Sequence, residues 1–282
     1  MTYFEAEKQA IQKLESAMVP NAHFDAGELL LFVTDFSKSQ MLMHKPEEMP
    51  QEQLAAYEEA IAKRMERIPL QHIIGVQDFM GLTFEVNEDV LCPRLDTESV
   101  VEKALELIGP WEKPEILDVC TGSGCIAVSL YHYLKKEKKP VSVSAIDLSE
   151  AALNMAKKNA LKNHAYIQFY HGSLLEPVEG KSFDMIISNP PYIPSKVVDG
   201  LMPEVKDHEP RMALDGDEDG LKFYRSITKD SKKHLTDHGI LIFEIGFHQG
   251  KDVGDIMRDN GYLDVTIEKD LAGNDRIAFG HL

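Results

Sequence analysis

The sequence predicts an α/β protein in which a mostly parallel sheet, covered by helices on both faces, follows a small all-helical domain. Three observations carry this. Residues 1 to 68 show only the three- and four-residue spacing of amphipathic helices. From Ile116 onward, short apolar runs alternate with helical stretches. One of those runs, Phe183 to Ile187, passes directly into Asn189-Pro190-Pro191-Tyr192, an abrupt stop of the kind found where a strand ends at a ligand site.

The helical domain rests first on Leu54, Tyr57, Ile61, Met65 and Ile68, which form one stripe with Glu58, Glu59, Lys63 and Arg64 outside it. Stripes through Ile11, Leu14 and Met18 and through Phe24, Leu31 and Phe32 extend it, and Met41, Met43, Met49 and Met65 read as core filling. No residue in it suggests catalysis, so it is expected to bind a partner or to act as a lid. Residues 69 to 90 change to alternation, with Leu82, Phe84 and Val86 on one face and a turn at Gly81, which predicts a β-hairpin linker. The remaining residues, 91 to 282, make the larger domain. A helix is expected over Asp96 to Ile108, ended by Gly109-Pro110.

Strands follow at Ile116 to Val119, Val141 to Ile146, Ile167 to Tyr170, Phe183 to Ile187 and Ile240 to Ile245, with two more near Val265 and Ile277. The intervening helices are Gly124 to Leu134, Glu150 to Leu161, Leu221 to Leu235 and Gly250 to Asn260. The last two strands are joined through Ala272-Gly273-Asn274, too short for a parallel crossover, so that pair is expected to be antiparallel.

Asp118-Val119-Cys120-Thr121-Gly122-Ser123-Gly124 ends the first strand of the sheet and opens a helix. Gly122 and Gly124 allow close backbone approach, and the helix N-terminus offers unpaired N–H groups. Asp147, at the end of the next strand, is placed to accept both hydroxyls of a ribose. A nucleoside cofactor follows. Gly122 to Ala127 also fits the dinucleotide pattern, so a nicotinamide cofactor stands beside S-adenosylmethionine, for which Asp118 can meet the cationic amino group. The Asn-Pro-Pro-Tyr turn tips the balance toward methyl transfer. Its Asn189 side-chain oxygen and Pro190 carbonyl can each accept a hydrogen from a flat NH2 group, while Tyr192 supplies a face to stack on. Adenine, guanine and a glutamine amide all qualify as acceptors.

The 282 residues carry 47 acidic and 30 basic side chains, a net charge of -17. That balance argues against nucleic acid as the main substrate, since phosphate neutralisation dominates such affinity. Cys92, Cys120 and Cys125 have neither metal nor disulfide spacing, and a reducing cytoplasm fits them. The N-terminus lacks a signal-peptide apolar core, and runs such as Leu29 to Val33 are too short to span a bilayer, so no membrane role is expected. Asp215 to Gly220 begins like a calcium loop, but Ser226 stands where a bidentate glutamate belongs. The histidines form no metal motif, and no metal is expected.

Taken together the residues resemble the HemK family of glutamine methyltransferases, in its bacterial form that acts on peptide chain release factors. The resemblance covers nearly the whole chain: residues 69 to 75, 93 to 98 and 118 to 124, then Asn189 to Ile193, 209 to 214, Glu244-Ile245-Gly246 and 273 to 276. It implies a seven-stranded, doubly wound class I methyltransferase domain with S-adenosylmethionine as donor. The implied acceptor is the glutamine of a release factor's Gly-Gly-Gln tripeptide, with a ribosomal-protein glutamine as the alternative. On this resemblance Asp118, Cys120, Thr121, Gly122, Ser123, Gly124, Asp147, Leu174 and Asn189 are expected to hold the donor, and Asn189, Pro190, Pro191 and Tyr192 the acceptor. Asn189, Pro190 and Tyr192 are the expected catalytic positions. Cys120 stands where the family often has glycine, and Ser173 where many relatives have aspartate, with Leu174 beside it to pack on the adenine ring. Residues 194 to 215 are long for a connection and are expected to close over the acceptor or to be ordered by ion pairs of Glu209 and Arg211.

Overall fold

In the computed structural model, residues 1–109, 111–270 and 272–282 are described. The chain divides into two compact units, one of residues 1–76 with 202–208, the other of residues 77–201 with 209–282.

The first unit is helical. It comprises α1 (Tyr3–Ser16), α2 (Ala22–Thr34), α3 (Lys38–His44), α4 (Gln51–Met65) and α5 (Leu70–Ile74). Thr2 and Ser37 close α1 and α3 as capping boxes with Glu5 and Gln40, satisfying N–H groups that a helix start leaves unpaired. The core is built from Leu14, Ala26, Leu29, Leu30, Tyr57 and Ile61, and the Tyr57 hydroxyl donates to the Ala26 carbonyl at 2.9 Å. The expected stripes are corrected in part. Met18, Phe24, Phe32 and Met65 are exposed, because small residues let the backbones of α1, α2 and α4 approach along Ala10, Ala22, Ala26 and Ala60 instead. Of the four methionines, Met41 and Met49 fill the core while Met43 and Met65 face solvent. The alternation expected from Pro69 is also corrected: residues 70–74 are helical, and the hairpin is only β1 (Val76–Phe79) and β2 (Leu82–Glu85).

The second unit contains the seven-stranded sheet. In chain order it runs α6 (Leu95–Leu107), β3 (Glu115–Val119), α7 (Cys125–Lys136), β4 (Ser142–Asp147), α8 (Glu150–Lys162), β5 (Ile167–His171) and β6 (Phe183–Ser188). Two short helices follow, α9 (Ser195–Val198) and α10 (Pro203–Lys206), of which α10 belongs to the first unit. The chain then continues through α11 (Lys222–Ser231), β7 (Leu235–Glu244), α12 (Gly250–Asp259), β8 (Leu263–Lys269) and β9 (Asp275–His281). The helix expected to reach Leu235 stops at Ser231, since Leu235 already pairs with Phe183 as the start of β7. Pro110, part of the expected stop of α6, lies outside the described residues.

Strand order is β5-β4-β3-β6-β7-β9-β8, with β9 antiparallel to both β7 and β8 and the other pairs parallel. The order reverses between β3 and β6. At such a switch point the following loops diverge and leave a crevice beyond the carboxyl ends of the strands. The register sets Val119 opposite Ser188, whose hydroxyl donates to the Val119 carbonyl at 2.6 Å, so both strands end level with one another. Two buried clusters cover the sheet faces, one around Ile116, Val128, Leu130 and Ile187, the other around Leu117, Ile186, Tyr224 and Phe243. Among the described residues no helix is long and apolar enough to cross a membrane.

Candidate active site

The crevice between β3 and β6 opens into a cavity of about 330 Å³, within the range of small-molecule sites. Cys120, Thr121, Gly122, Ser123, Asp147, Leu174, Asn189 and Pro191 line it. It therefore brings together the loop after β3, the end of β4, the turn after β5 and the turn after β6.

The loop after β3 is held open by its backbone. Cys120, Gly122 and Gly124 have φ of 62°, 54° and 80°, in the left-handed region. A Cβ on Gly122 would meet nothing within 4 Å, so this glycine leaves the cradle clear for a ligand. Cys120 adopts its unfavourable φ as part of the cavity wall, and burial pushes its thiol well above the ordinary cysteine range. Asp147 Oδ2 accepts from the Gly122 N–H at 2.8 Å and Oδ1 from the Ser149 N–H at 2.9 Å. Burial raises its pKa while those backbone donors oppose the rise. One carboxylate thus fixes the glycine loop against β4 at the wall of the cavity.

Four of the expected residues do not line the cavity: Asp118, Gly124, Pro190 and Tyr192. Asp118 is fully buried, and its Oδ2 accepts from the Thr121 hydroxyl at 2.6 Å and the Ala127 N–H at 3.3 Å. Burial lifts its carboxyl to about 7. Here it ties β3 to the first turn of α7. Its other oxygen, Oδ1, is buried and has no hydrogen-bond partner among the described residues. Gly124 is also accounted for by packing, since a Cβ there would come within 3.1 Å of the Ala156 Cβ on α8.

The turn after β6 is clamped from several sides. Gln249 Nε2 donates to the Tyr192 and Gly220 carbonyls at 3.0 and 3.2 Å, and its Oε1 accepts from the Gly246 N–H at 3.0 Å. Tyr192 packs against the second cluster, and burial pushes its phenol to about 12. The acidic stretch that resembled a calcium loop lies here, where Ile193 N donates to the Leu214 carbonyl and Gly216 N to that of Ile193. Residues 209 to 215 also supply cavity walls through Pro210, Met212, Ala213 and Asp215. Glu209 receives Arg94 at 2.6 Å, while Arg211 pairs with Asp199 at 2.7 Å and Asp215 at 3.2 Å. The Arg211 pairs are local, whereas Glu209 is tied to Arg94, 115 positions earlier in the chain.

Two further side chains stand at the site without having been singled out as functional. Thr97 on α6 lines the cavity, and Glu244 at the end of β7 accepts its hydroxyl hydrogen at 2.6 Å. They are 147 positions apart, and no spacing connects them in the sequence. The only available signal was that both fall within stretches carrying the family resemblance.

The chain is similar to known proteins over nearly its whole length. Residues 5–75 match a family model described as PrmC N-terminal domain, and residues 97–202 one described as methyltransferase small domain. The release factor glutamine methyltransferase of Bacillus subtilis (strain 168) is 40% identical over 283 residues, covering 98% of this chain and 96% of that protein. The protein of the same name from Bacillus cereus is 39% identical over 265 residues, covering 92% of each. Among solved structures, the hMettl16 catalytic domain in complex with MAT2A 3'UTR hairpin 6 superposes with a TM-score of 0.59 at 18% identity, over 78% of this chain and 81% of that one. That last likeness concerns the fold alone.

Proposed function

We infer what this chain does from the family to which it belongs, that of the release factor glutamine methyltransferases. It is an S-adenosylmethionine-dependent enzyme that methylates the side-chain amide nitrogen of a release-factor glutamine. Within that reaction we assign the acceptor to the glutamine of the Gly-Gly-Gln tripeptide. One observation carries the reading: the β3/β6 switch point gathers a glycine cradle, a ribose-competent carboxylate, and Asn189 and Pro191 of the Asn-Pro-Pro-Tyr turn around a single cavity.

The residues present suit the donor. Gly122 leaves open space, Asp147 lines the same cavity and could accept from a ribose hydroxyl, and Leu174 offers an apolar surface for the adenine ring. When bound, S-adenosylmethionine supplies a methyl group on a cationic sulfur. Everything else falls to the chain. A carboxamide nitrogen is a weak nucleophile because its lone pair is delocalised into the carbonyl. Asn189 Oδ1 and the Pro190 carbonyl each accept one amide hydrogen, which turns the nitrogen lone pair toward the methyl group and holds it there. Such positioning removes the entropy of finding an attack geometry and supplies most of the acceleration. Bound there, the donor would give up its methyl group to that nitrogen and leave as the neutral thioether, and the amide proton, acidic once the nitrogen is alkylated, would pass to water.

Methyl transfer from labelled S-adenosylmethionine to a purified release factor tests this, beside the same factor with its Gly-Gly-Gln glutamine changed to alanine. Label is expected on the intact factor only. Equal labelling of both proteins would overturn the acceptor assignment.

A further inference from the structure

An asparagine that grips an NH2 group has to present its oxygen and not its nitrogen, and its two ends are nearly the same shape. Nothing in the Asn-Pro-Pro-Tyr turn itself makes that choice. The choice is made from α6 and β7. Asn189 Nδ2 lies 3.5 Å from the Thr97 hydroxyl oxygen, and that hydroxyl donates to Glu244 Oε2 at 2.6 Å. Thr97 and Glu244 are both 2% exposed, so water does not compete for the bond between them.

A hydroxyl has one hydrogen and two lone pairs. With its hydrogen given to a carboxylate, which can only accept, Thr97 has only lone pairs to offer Asn189. The amide end nearest it must then be the NH2, and Oδ1 is turned to the acceptor. We propose that Thr97 and Glu244 act as a positioning pair that sets the polarity of the Asn189 amide, making it an acceptor of the substrate's NH2 group. The proposal rests on the assignment of Asn189 to the acceptor. It distinguishes Thr97 from a cavity-wall residue and gives the buried glutamate a task.

The state of Glu244 enters directly. Facing it are Asp96 and Thr97 of α6, Arg94 ahead of that helix, Cys125 of α7, Tyr192 after β6, and Arg276 of β9. The Tyr224 hydroxyl of α11 donates to the Glu244 main-chain carbonyl at 3.0 Å. Burial raises the carboxyl to about 7 against the opposing pull of Thr97 and the two arginines. A protonated Glu244 can donate to Thr97, which frees the threonine hydrogen to bond Asn189 Oδ1 and turn the amide the wrong way. Glutamine at position 244 does the same at every pH, through its NH2.

The test compares Thr97→Val, Thr97→Ser, Glu244→Gln, Asn189→Ala and the double variant Thr97→Val/Asn189→Ala in the full-length enzyme, with S-adenosylmethionine affinity and thermal midpoint as controls on folding. Thr97→Val and Glu244→Gln are each expected to lower kcat roughly 30- to 100-fold, with donor affinity unchanged, because a misaligned acceptor loses its attack geometry. Thr97→Ser, which keeps the hydroxyl, is expected to recover most of that loss. In the Asn189→Ala background Thr97→Val should cost nothing more, as coupled residues are not additive. The fall in kcat of the wild type on acidification through about pH 7 should be absent from Glu244→Gln. If Asn189→Ala is severely impaired but Thr97→Val stays within threefold of wild type, or if the two losses multiply, the pair has no positioning role and the acceptor assignment stands. If Asn189→Ala itself stays within a few fold of wild type, the acceptor assignment falls and the positioning role falls with it.

Discussion

At the residue scale, several positions owe their identity to a neighbour that is remote in sequence. Gly220 is the clearest. It has a φ of 74°, and a Cβ there would fall well inside contact distance of the Tyr192 carbonyl oxygen and within 2.8 Å of Gln249 Nε2. A Cβ on Gly216 would be similarly crowded, 2.8 Å from the Tyr192 Cα and 2.9 Å from the Pro191 oxygen. The aspartate-rich stretch thus carries glycines that let the Asn-Pro-Pro-Tyr turn pass against it. Gly220→Ala is expected to combine backbone strain with displacement of the turn, costing about 2 kcal/mol of stability. Methyl transfer should fall at least tenfold while donor affinity holds, because Gly220 is not among the cavity-lining residues. Calorimetric unfolding and donor titration check this. A variant as active and stable as wild type would show that the turn tolerates movement.

At the scale of elements, α10 is fixed to the helical unit by charge. Glu204 is 8% exposed, and it accepts from Arg64 of α4 at 2.9 Å and from two nitrogens of Arg67 at 2.7 and 2.6 Å. Arg64 also holds Asp25 of α2 at 2.7 Å, so four charged groups form one network. Arg64, which the stripe pattern placed outside the helix face, is one of its most buried residues. Burial alone would raise the Glu204 carboxyl, but the arginine hydrogen bonds outweigh it and hold it at about 2. A depressed carboxylate contributes stability that is complete above the ordinary glutamate value and disappears as pH falls toward its folded value. The helical unit is therefore expected to lose stability between about pH 4.5 and 2, and Glu204→Gln to flatten that part of the profile. Glu204→Ala, which removes the acidic partner of Arg67 and leaves Arg64 with Asp25 alone, should cost about 3 kcal/mol at neutral pH. Hydrogen exchange over residues 51–65 and 202–208 reads both effects. Unchanged protection in the alanine variant would mean that the network is dispensable.

For the whole molecule, the excess of 47 acidic over 30 basic side chains bears on the choice of substrate. Folds of this class also serve RNA, as the likeness to the hMettl16 domain illustrates, so architecture does not discriminate. Charge does. Duplex RNA or DNA is expected to bind no more tightly than ~100 µM in about 0.15 M salt, the weak end of non-specific association. Fluorescence anisotropy measures this, and a micromolar complex that weakens steeply with salt would reverse it.

The sequence by itself determined the class of fold, the alternation of strands and helices, and the two motifs that meet at the cavity. Periodicity, proline stops and glycine turns are local properties, and each is written within a few residues. Element ends were less legible where pairing overrode propensity, as when Leu235 joined Phe183 in β7 instead of continuing α11. Only the tertiary structure decided which of the motif residues face the cavity. Asp118 turned inward to cap α7, Gly124 yielded to Ala156, and Thr97 and Glu244 came together beside Asn189 from opposite ends of the domain. Those outcomes depend on strand register and on helix packing over the sheet. Both are set by contacts between residues tens to more than a hundred positions apart, which no local pattern encodes.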